Sequence, residues 1–170
     1  MRLDLKDIIE VPGGSVDFAC ELETDRLGFP SVKAYRAKPH AEGRVYNEAG
    51  VLHLEGELTA EMTCVCDRCG TVFDREKVLP LDVPLSADVS DETSPEVFAI
   101  EGDGIDVSEV AETCFILNME QKVLCRDDCK GLCPHCGKNL NDGPCDCVPT
   151  GDPRLAVLQQ LPEAPENPKN

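Results

Sequence analysis

The chain of 170 residues contains no tryptophan, and its aromatic side chains are limited to five Phe and two Tyr. It has no apolar run of about 18 residues, the length that a helix needs to cross a lipid bilayer, so no membrane span is expected. Positive charge is also scarce, with 16 Lys and Arg against 33 Asp and Glu and a formal net charge of −17. The stretch from Val78 to Gln121 has no Lys or Arg at all. Because nucleic-acid binding depends on Lys and Arg that displace counterions, this charge disfavours broad RNA or DNA binding and favours a basic protein partner.

Motifs of nucleotide-binding and hydrolytic enzymes are absent as well. The sequence contains no P-loop, G-x-S-x-G, H-E-x-x-H or G-x-G-x-x-G pattern, so neither an enzyme nor a small-molecule substrate is indicated. The first residues alternate charged and aliphatic side chains and lack the apolar core of a signal peptide. We therefore expect a cytoplasmic protein whose cysteines are reduced or bound to metal, because disulfides belong to oxidising compartments.

The periodicity that is present predicts an α+β fold. Its expected parts are a mostly antiparallel β region, a few short helices and a C-terminal cysteine-rich zinc-knuckle module. The clearest strand has apolar side chains at even positions from 52 to 66 and mostly acidic or Thr side chains at odd positions from 55 to 63. A turn at 47–50 is expected to join it to a preceding strand, Lys33–Tyr46, as a hairpin.

The chain divides into four predicted segments. Asp106 can cap a helix whose apolar stripe runs from Val107 to Phe115, and Asp152 can cap a last short helix. The C-terminal residues are rich in Pro, Glu and Asn, a composition typical of disorder. The segments are an antiparallel β region carrying the first CxxC (1–85), an acidic loop (86–104), a capped helix with the cysteine-rich metal module and the final helix (105–161), and a disordered tail (162–170).

Three of the eleven cysteines are expected in the core. Cys64 is in phase with the apolar face of its strand, Cys114 lies on the apolar stripe of the predicted helix, and Cys20 has no Cys or His at ligand spacing. A free cysteine behaves as a small buried hydrophobe, so a core position is the simplest interpretation of all three.

The other eight cysteines fall into four short pairs and are the candidate metal ligands. Two of the pairs are C-x-x-C turns followed by Gly, the pattern of a zinc knuckle, and four pairs make two tetrathiolate sites. We expect two Zn²⁺ per chain, although Fe prefers the same ligands and the sequence does not separate the two metals. The pairs are Cys66 and Cys69, Cys125 and Cys129, Cys133 and Cys136, and Cys145 and Cys147.

The spacing of the pairs predicts how they combine. The turn-rich loop after Cys136 is short enough to return Cys145 and Cys147 to the same point, so the last two pairs can close a site locally. By elimination, Cys66 and Cys69 would meet the pair at 125 and 129. A single site with spare thiols is the competing arrangement.

Two other functions remain open from the residues alone. A CxxC pair can act as a cytosolic dithiol oxidoreductase, although such pairs normally open a helix in a thioredoxin-like frame. A zinc-dependent adaptor for protein interactions has the same cysteine pattern. One basic cluster could also contact RNA, formed by Lys33, Arg36, Lys38 and Arg44 with Tyr35 and Tyr46 interleaved.

Four segments of the sequence resemble the YceD family, the large ribosomal RNA subunit accumulation proteins of bacteria and plastids. The resemblance implies a non-enzymatic factor that supports 23S rRNA accumulation and large ribosomal subunit biogenesis. Its expected partner is the large-subunit precursor, reached through a basic ribosomal protein, with direct rRNA contact less well supported. The sequence departs from the family's pattern at Cys64, which makes the first motif C-x-C-x-x-C and offers a substitute ligand there. The matching segments are Met1–Gly14, Gly56–Leu58 with Cys66–Cys69, Cys125–Asn141 and Asp152–Leu155.

Overall fold

The computed structural model describes residues 1–86 and 97–147. The chain separates into two compact units, Met1–Cys129 and Lys130–Asn170. The predicted acidic segment 86–104 lies partly outside the described residues. The predicted final helix and the C-terminal tail lie wholly outside them.

The elements of the first unit are mainly strands, joined by two short helices and one 3-10 turn at Thr24–Arg26. They are β1 (Arg2–Asp4), α1 (Lys6–Ile9), β2 (Ser15–Glu21), β3 (Val32–Tyr35), β4 (His40–Glu48), β5 (Val51–Val65), β6 (Val72–Ser86), β7 (Phe98–Ala99), β8 (Gly104–Asp106) and α2 (Val107–Leu117).

Six of these strands form one sheet in the order β2-β4-β5-β6-β7, with β3 pairing to the second half of β5. The neighbouring pairs are antiparallel except β6 and β7, which run parallel. β1 and β8 form a separate two-stranded ribbon. The predicted α+β class, with a mostly antiparallel β region and few short helices, is confirmed.

The apolar face of β5 forms much of the core, as its alternation predicts. Burying a large aliphatic side chain contributes about 1.5–3 kcal/mol, so this face is a main source of stability. The odd-numbered acids Glu55, Glu57 and Glu61 are exposed on the opposite face. The buried side chains are Leu52, Leu54, Leu58, Ala60, Met62 and Cys64.

A two-residue turn joins β4 to β5, so the predicted hairpin at 47–50 is confirmed. Ala49 has φ 53° and Gly50 has φ 96°, the left-handed values of a type I′ turn. The Asn47 side chain accepts a hydrogen bond from Gly50 N at 2.8 Å and donates to Ile8 O and Ile9 O, each at 2.8 Å. This buried amide therefore fixes the turn and the end of α1 together.

The prediction of a single strand over Lys33–Tyr46 is wrong. The strand is interrupted between β3 and β4, where Pro39 has no N–H to donate to a sheet ladder. Its carbonyl instead accepts from Leu22 N at 2.8 Å. Beyond the interruption, β3 pairs with β5 and not with β4.

The helix α2 begins at the predicted cap. Asp106 Oδ1 accepts from Ser108 N at 3.0 Å and from Glu109 N at 3.3 Å, which satisfies two of the free N–H groups of the first turn. The predicted apolar stripe is buried, with Phe115 fully enclosed at 0 % exposure. No helix in the described part of the chain combines the length and the apolar character that a membrane span requires.

Candidate metal centres

The first cysteine cluster lies at the tip of the β5–β6 hairpin. Cys66 and Cys69 occupy the turn between the strands, and the loop that follows α2 brings Cys125 and Cys129 to the same point. The four sulfur atoms all lie within 4.8 Å of one another. Two of the Sγ–Sγ distances, from Cys66 to Cys129 and from Cys69 to Cys125, are each 3.7 Å.

These distances fit a shared metal ion. A tetrahedral ion with metal–sulfur bonds of about 2.3 Å places its sulfur ligands about 3.8 Å apart. A disulfide would require a sulfur–sulfur distance of about 2.05 Å, and all eleven cysteines are free. The cluster can therefore hold a metal through four sulfur atoms.

The turn that carries the first pair has the hydrogen bonds of a knuckle. Cys66 N donates to Thr71 O at 2.9 Å, and Gly70 N donates to Cys66 O at 2.8 Å. Gly70 has φ 71°, a left-handed value at which a side chain would be strained. The glycine after the second cysteine thus turns the chain back into β6.

Two charged residues inside this knuckle connect it to the distant segment. Asp67 accepts from Ser31 Oγ and from Val123 N, each at 2.6 Å, and its own N–H donates to Val123 O at 2.9 Å. Arg68 donates from one guanidinium nitrogen to Cys129 O at 2.6 Å. The hydrogen bonds from Ser31 and Val123 also lower the pKa of the Asp67 carboxyl.

The first cluster is largely shielded from water. Cys66, Cys69 and Cys129 are buried, and Phe73 and Leu124 pack against them. Burial opposes ionisation of Cys66, but the backbone N–H groups of Cys125, Arg68 and Cys69 together lower the pKa of that thiol to about 6.

Cys125 has the opposite tendency. Burial, followed by its hydrogen bonds to the neighbouring cysteine sulfurs, raises the pKa of the Cys125 thiol to about 12. Four thiolates in one place repel one another, so a cation is what allows all four to be deprotonated together.

The second cluster is formed within the second unit by Cys133, Cys136, Cys145 and Cys147, whose sulfur atoms also all lie within 4.8 Å of one another. Its knuckle repeats the first: Cys133 N donates to Lys138 O at 2.8 Å, and Gly137 N donates to Cys133 O at 2.9 Å. Gly137 has φ 73°. Cys133 is buried, Cys136 is exposed and the last two cysteines are half-buried, so this cluster is the more open to solvent.

The return loop of the second cluster is held by local hydrogen bonds. Lys138 Nζ donates to Pro144 O at 2.7 Å, and Lys130 N donates to Asn141 Oδ1 at 2.8 Å. Backbone N–H groups of Cys136 and His135, with a hydrogen bond from Cys145, lower the pKa of the Cys133 thiol to about 6. His135 therefore contributes its main chain, and within the described residues both candidate groups consist of cysteine alone.

The two groups are the combination that the cysteine spacing predicts. The three cysteines expected in the core are buried there, with Cys20 8 % exposed, Cys64 0 % and Cys114 7 %. Cys64 points to the core side of β5 and belongs to neither group, so it supplies no substitute ligand. Burial raises the pKa of each of these three thiols.

The basic cluster suggested as an RNA contact is largely neutralised. Three of its four cations form ion pairs: Arg36 with Asp74 at 3.4 Å, Lys38 with Glu23 at 2.7 Å, and Arg44 with Glu55 at 3.0 Å. Arg44 also lies over the ring of Tyr46, 5.3 Å from its centroid. Little unpaired positive charge is therefore left on this part of the sheet.

Comparison with known families adds the remaining observation. The sequence model described as "Large ribosomal RNA subunit accumulation protein YceD" matches residues 54–162, more than half of the chain. The chain belongs to the YceD family. The match begins inside β5 and takes in all eight cysteines of the two clusters, so the family's defining region contains both candidate metal centres. Neither the curated proteins nor the solved structures give a match.

The sequence alone did not indicate that Ser31, Asp67 and Arg68 surround the first cluster of this YceD-family chain. The available signal was the charged pair between Cys66 and Cys69, where the second knuckle has Pro134 and His135. The partner at 123 is 56 residues from Asp67, and no local pattern connects them.

Proposed function

We propose that this YceD-family chain is a non-enzymatic factor that supports 23S rRNA accumulation and large ribosomal subunit biogenesis, with its eight clustered cysteines as structural ligands of two Zn²⁺. The observation that carries the proposal is the family match over a region that includes both four-sulfur groups. We expect the protein to act in the cytoplasm, where the large subunit is assembled.

The donor set supports a structural metal. Catalytic zinc usually keeps one coordination position open for water or substrate, whereas four cysteine sulfurs fill a tetrahedral ion completely. Zn²⁺ bound at each group would neutralise part of the thiolate charge and join the chain segments that supply the ligands. Iron satisfies the same all-sulfur ligands and is the alternative that metal analysis of the purified protein would detect.

The position of the CxxC pairs weighs against a dithiol oxidoreductase. Such enzymes place the reactive cysteine at the start of a helix, where the helix dipole stabilises the thiolate. Cys66 and Cys69 lie instead in the turn between two strands. Each pair also has a second pair within metal-binding distance, which favours a structural role over redox catalysis.

Charge on the open face of the sheet supports a basic protein as the direct partner. Register places Glu42 directly opposite Glu57, and Glu61 directly opposite Glu76. Like charges in directly opposed positions destabilise a sheet, so this face is not optimised for stability alone. Two exposed acids of the face are ion-paired, Glu55 with Arg44 and Asp74 with Arg36. The other exposed acids of the face are Asp17, Glu21, Glu42, Glu57, Glu61, Glu76 and Asp82.

A basic ribosomal protein on the large-subunit precursor fits this face better than bare rRNA does. Polyanions repel the phosphate backbone, while complementary charge speeds and orients association between proteins. Direct rRNA contact has weaker support, because three of the four cations in the basic cluster are ion-paired.

Sedimentation tests the ribosomal role. The tagged chain is expected to migrate with precursor large-subunit particles, and its depletion is expected to lower 23S rRNA relative to 16S rRNA. A zinc adaptor unrelated to ribosomes would stay at the top of the gradient and leave the rRNA ratio unchanged. Crosslinking in cells is expected to recover a basic ribosomal protein; recovery of 23S rRNA alone would contradict the proposed partner.

A further inference from the structure

The first cluster joins two segments that are far apart in sequence. Cys66 and Cys129 are 63 residues apart, yet their sulfur atoms lie 3.7 Å apart. Thiols that do not share a metal offer only weak attraction, because S–H is a poor donor and sulfur a poor acceptor. Any contact of the segment 123–129 with the hairpin tip that precedes metal binding therefore depends on groups other than the ligands.

Asp67 is placed to hold the start of that segment. Its carboxylate accepts from Val123 N at 2.6 Å, and its backbone N–H donates to Val123 O at 2.9 Å, so both main-chain groups of Val123 are paired with one residue. The other carboxylate oxygen accepts from Ser31 Oγ at 2.6 Å. Ser31 is 9 % exposed, and its carbonyl accepts from Val65 N at 2.8 Å, which anchors the carboxylate to the end of β5.

Arg68 holds the other end of the segment. Its guanidinium donates to Cys129 O at 2.6 Å, directly on the residue that supplies the last ligand of the first cluster. Hydrogen bonds with a charged partner are shorter and roughly twice as strong as neutral ones. With Val123 and Cys129 both fixed, Cys125 lies between two tethered points.

We propose that Asp67 and Arg68 are positioning residues that hold 123–129 against the hairpin tip in the metal-free protein, so that the first cluster is assembled before metal binds. The proposal rests on the metal-binding part of the proposed function and adds to it which residues organise the site. Neither residue belongs to the four-sulfur group. Each acts by fixing the main chain that carries the ligands, in the way that outer-shell groups orient metal ligands elsewhere.

The test uses the full chain with Cys145→Ser and Cys147→Ser, so that only the first cluster can bind metal. Zn²⁺ affinity is measured by competition against Co²⁺, whose thiolate charge-transfer absorption reports coordination. Asp67→Ala and Arg68→Ala are expected to weaken Zn²⁺ binding about 10- to 100-fold. Asp67→Asn is expected to keep a Zn²⁺ affinity near that of the chain with Cys145→Ser and Cys147→Ser alone. An amide can still accept from Val123 N and can donate to Ser31 Oγ.

Arg44→Ala is the matched control, since it removes an arginine and an ion pair with Glu55 from the same sheet, away from the knuckle. It is expected to leave Zn²⁺ affinity unchanged. A general loss of stability would weaken binding in all variants alike, whereas the proposal requires loss in the two alanine variants at 67 and 68 and recovery in Asp67→Asn.

Hydrogen exchange supplies the readout that does not depend on metal. The Val123 amide is expected to be protected in the metal-free chain and to lose its protection in Asp67→Ala. Free exchange of this amide in the metal-free chain, or alanine variants that bind Zn²⁺ as tightly as Arg44→Ala, would overturn the proposal and leave the proposed function standing. If neither cluster of the unsubstituted chain bound metal, both this proposal and the proposed function would be overturned.

Discussion

The two cysteine clusters have the same four-cysteine composition and the same knuckle turn, but their surroundings differ. The first connects the β5–β6 hairpin with a segment beyond α2 and is buried against Phe73 and Leu124. The second is closed between Cys133 and Cys147 and includes the exposed Cys136.

This difference predicts two different roles for the metals. A metal that binds the folded chain and not the unfolded one stabilises whichever part of the chain must be folded to bring its ligands together. The metal at the first cluster should therefore stabilise the whole of the first unit. The metal at the second cluster should organise its own loop and little else.

The largest effect is expected from removing a ligand of the first cluster. Cys129→Ser should abolish metal binding there and lower the free energy of unfolding, by about 4 kcal/mol when free Zn²⁺ is about 1,000 times the dissociation constant, because the folded chain binds the metal and the unfolded chain does not. Thermal unfolding and metal analysis measure the two effects. Cys136→Ser is the matched control. It should also remove one metal per chain, but the thermal unfolding transition of the β-sheet should stay almost unchanged. Equal destabilisation by the two variants would contradict the division of roles.

Metal release should separate the clusters next. A chromogenic chelator such as 4-(2-pyridylazo)resorcinol should remove one equivalent quickly from the exposed second cluster and the other at least about tenfold more slowly, because burial and the hydrogen bonds of Asp67 and Arg68 protect the first. Cys136→Ser should eliminate the fast phase, and Cys129→Ser the slow one. Release of both metals in a single kinetic phase from the unsubstituted chain would contradict the difference between the two clusters.

The acidic face should affect partner binding while leaving both metals in place. Glu61→Thr removes the like-charge contact with Glu76, so the free energy of unfolding should rise by about 0.2–1 kcal/mol. Capture of precursor large subunits should fall, because the face then offers its basic partner one acid fewer. Thr63→Val changes the same face without changing its charge and serves as the control. Metal content should stay at two per chain in both variants; unchanged capture by Glu61→Thr would remove this acid from the proposed interface.

The smallest effect is expected at the β4–β5 turn. Ala49 holds φ 53°, where a side chain is strained and glycine is not, so Ala49→Gly should stabilise the first unit by about 0.5–1 kcal/mol. Metal release from either cluster should not change. A slower release from the first cluster would show that retention follows overall stability and not the local hydrogen bonds. Chemical denaturation and the chelator assay measure the two quantities on one sample.

Local sequence signals predicted the parts of the fold whose cause is local. The alternation from 52 to 64, the hairpin turn at 47–50 and the cap at Asp106 each follow from neighbouring residues, and each is present. The combination of cysteine pairs was also predictable, because a short loop leaves Cys145 and Cys147 near only one knuckle.

Features that depend on tertiary contacts were not predictable in this way. The interruption around Pro39 follows from a missing N–H, but the transfer of β3 to the far half of β5 depends on where the rest of the sheet lies. The ribbon of β1 with β8 joins residues about a hundred positions apart. The tether from Asp67 to Val123 is of the same kind, since it follows from the path of the chain after α2.

Eight of the eleven cysteines are proposed to bind two structural metals, and the other three lie in the core. The most direct test is metal content and free-thiol count on protein purified without chelator. We expect two Zn per chain and three thiols, Cys20, Cys64 and Cys114, that react only after denaturation. Absence of metal, with a CxxC pair that cycles reversibly between dithiol and disulfide, would contradict it and make a redox function the better explanation.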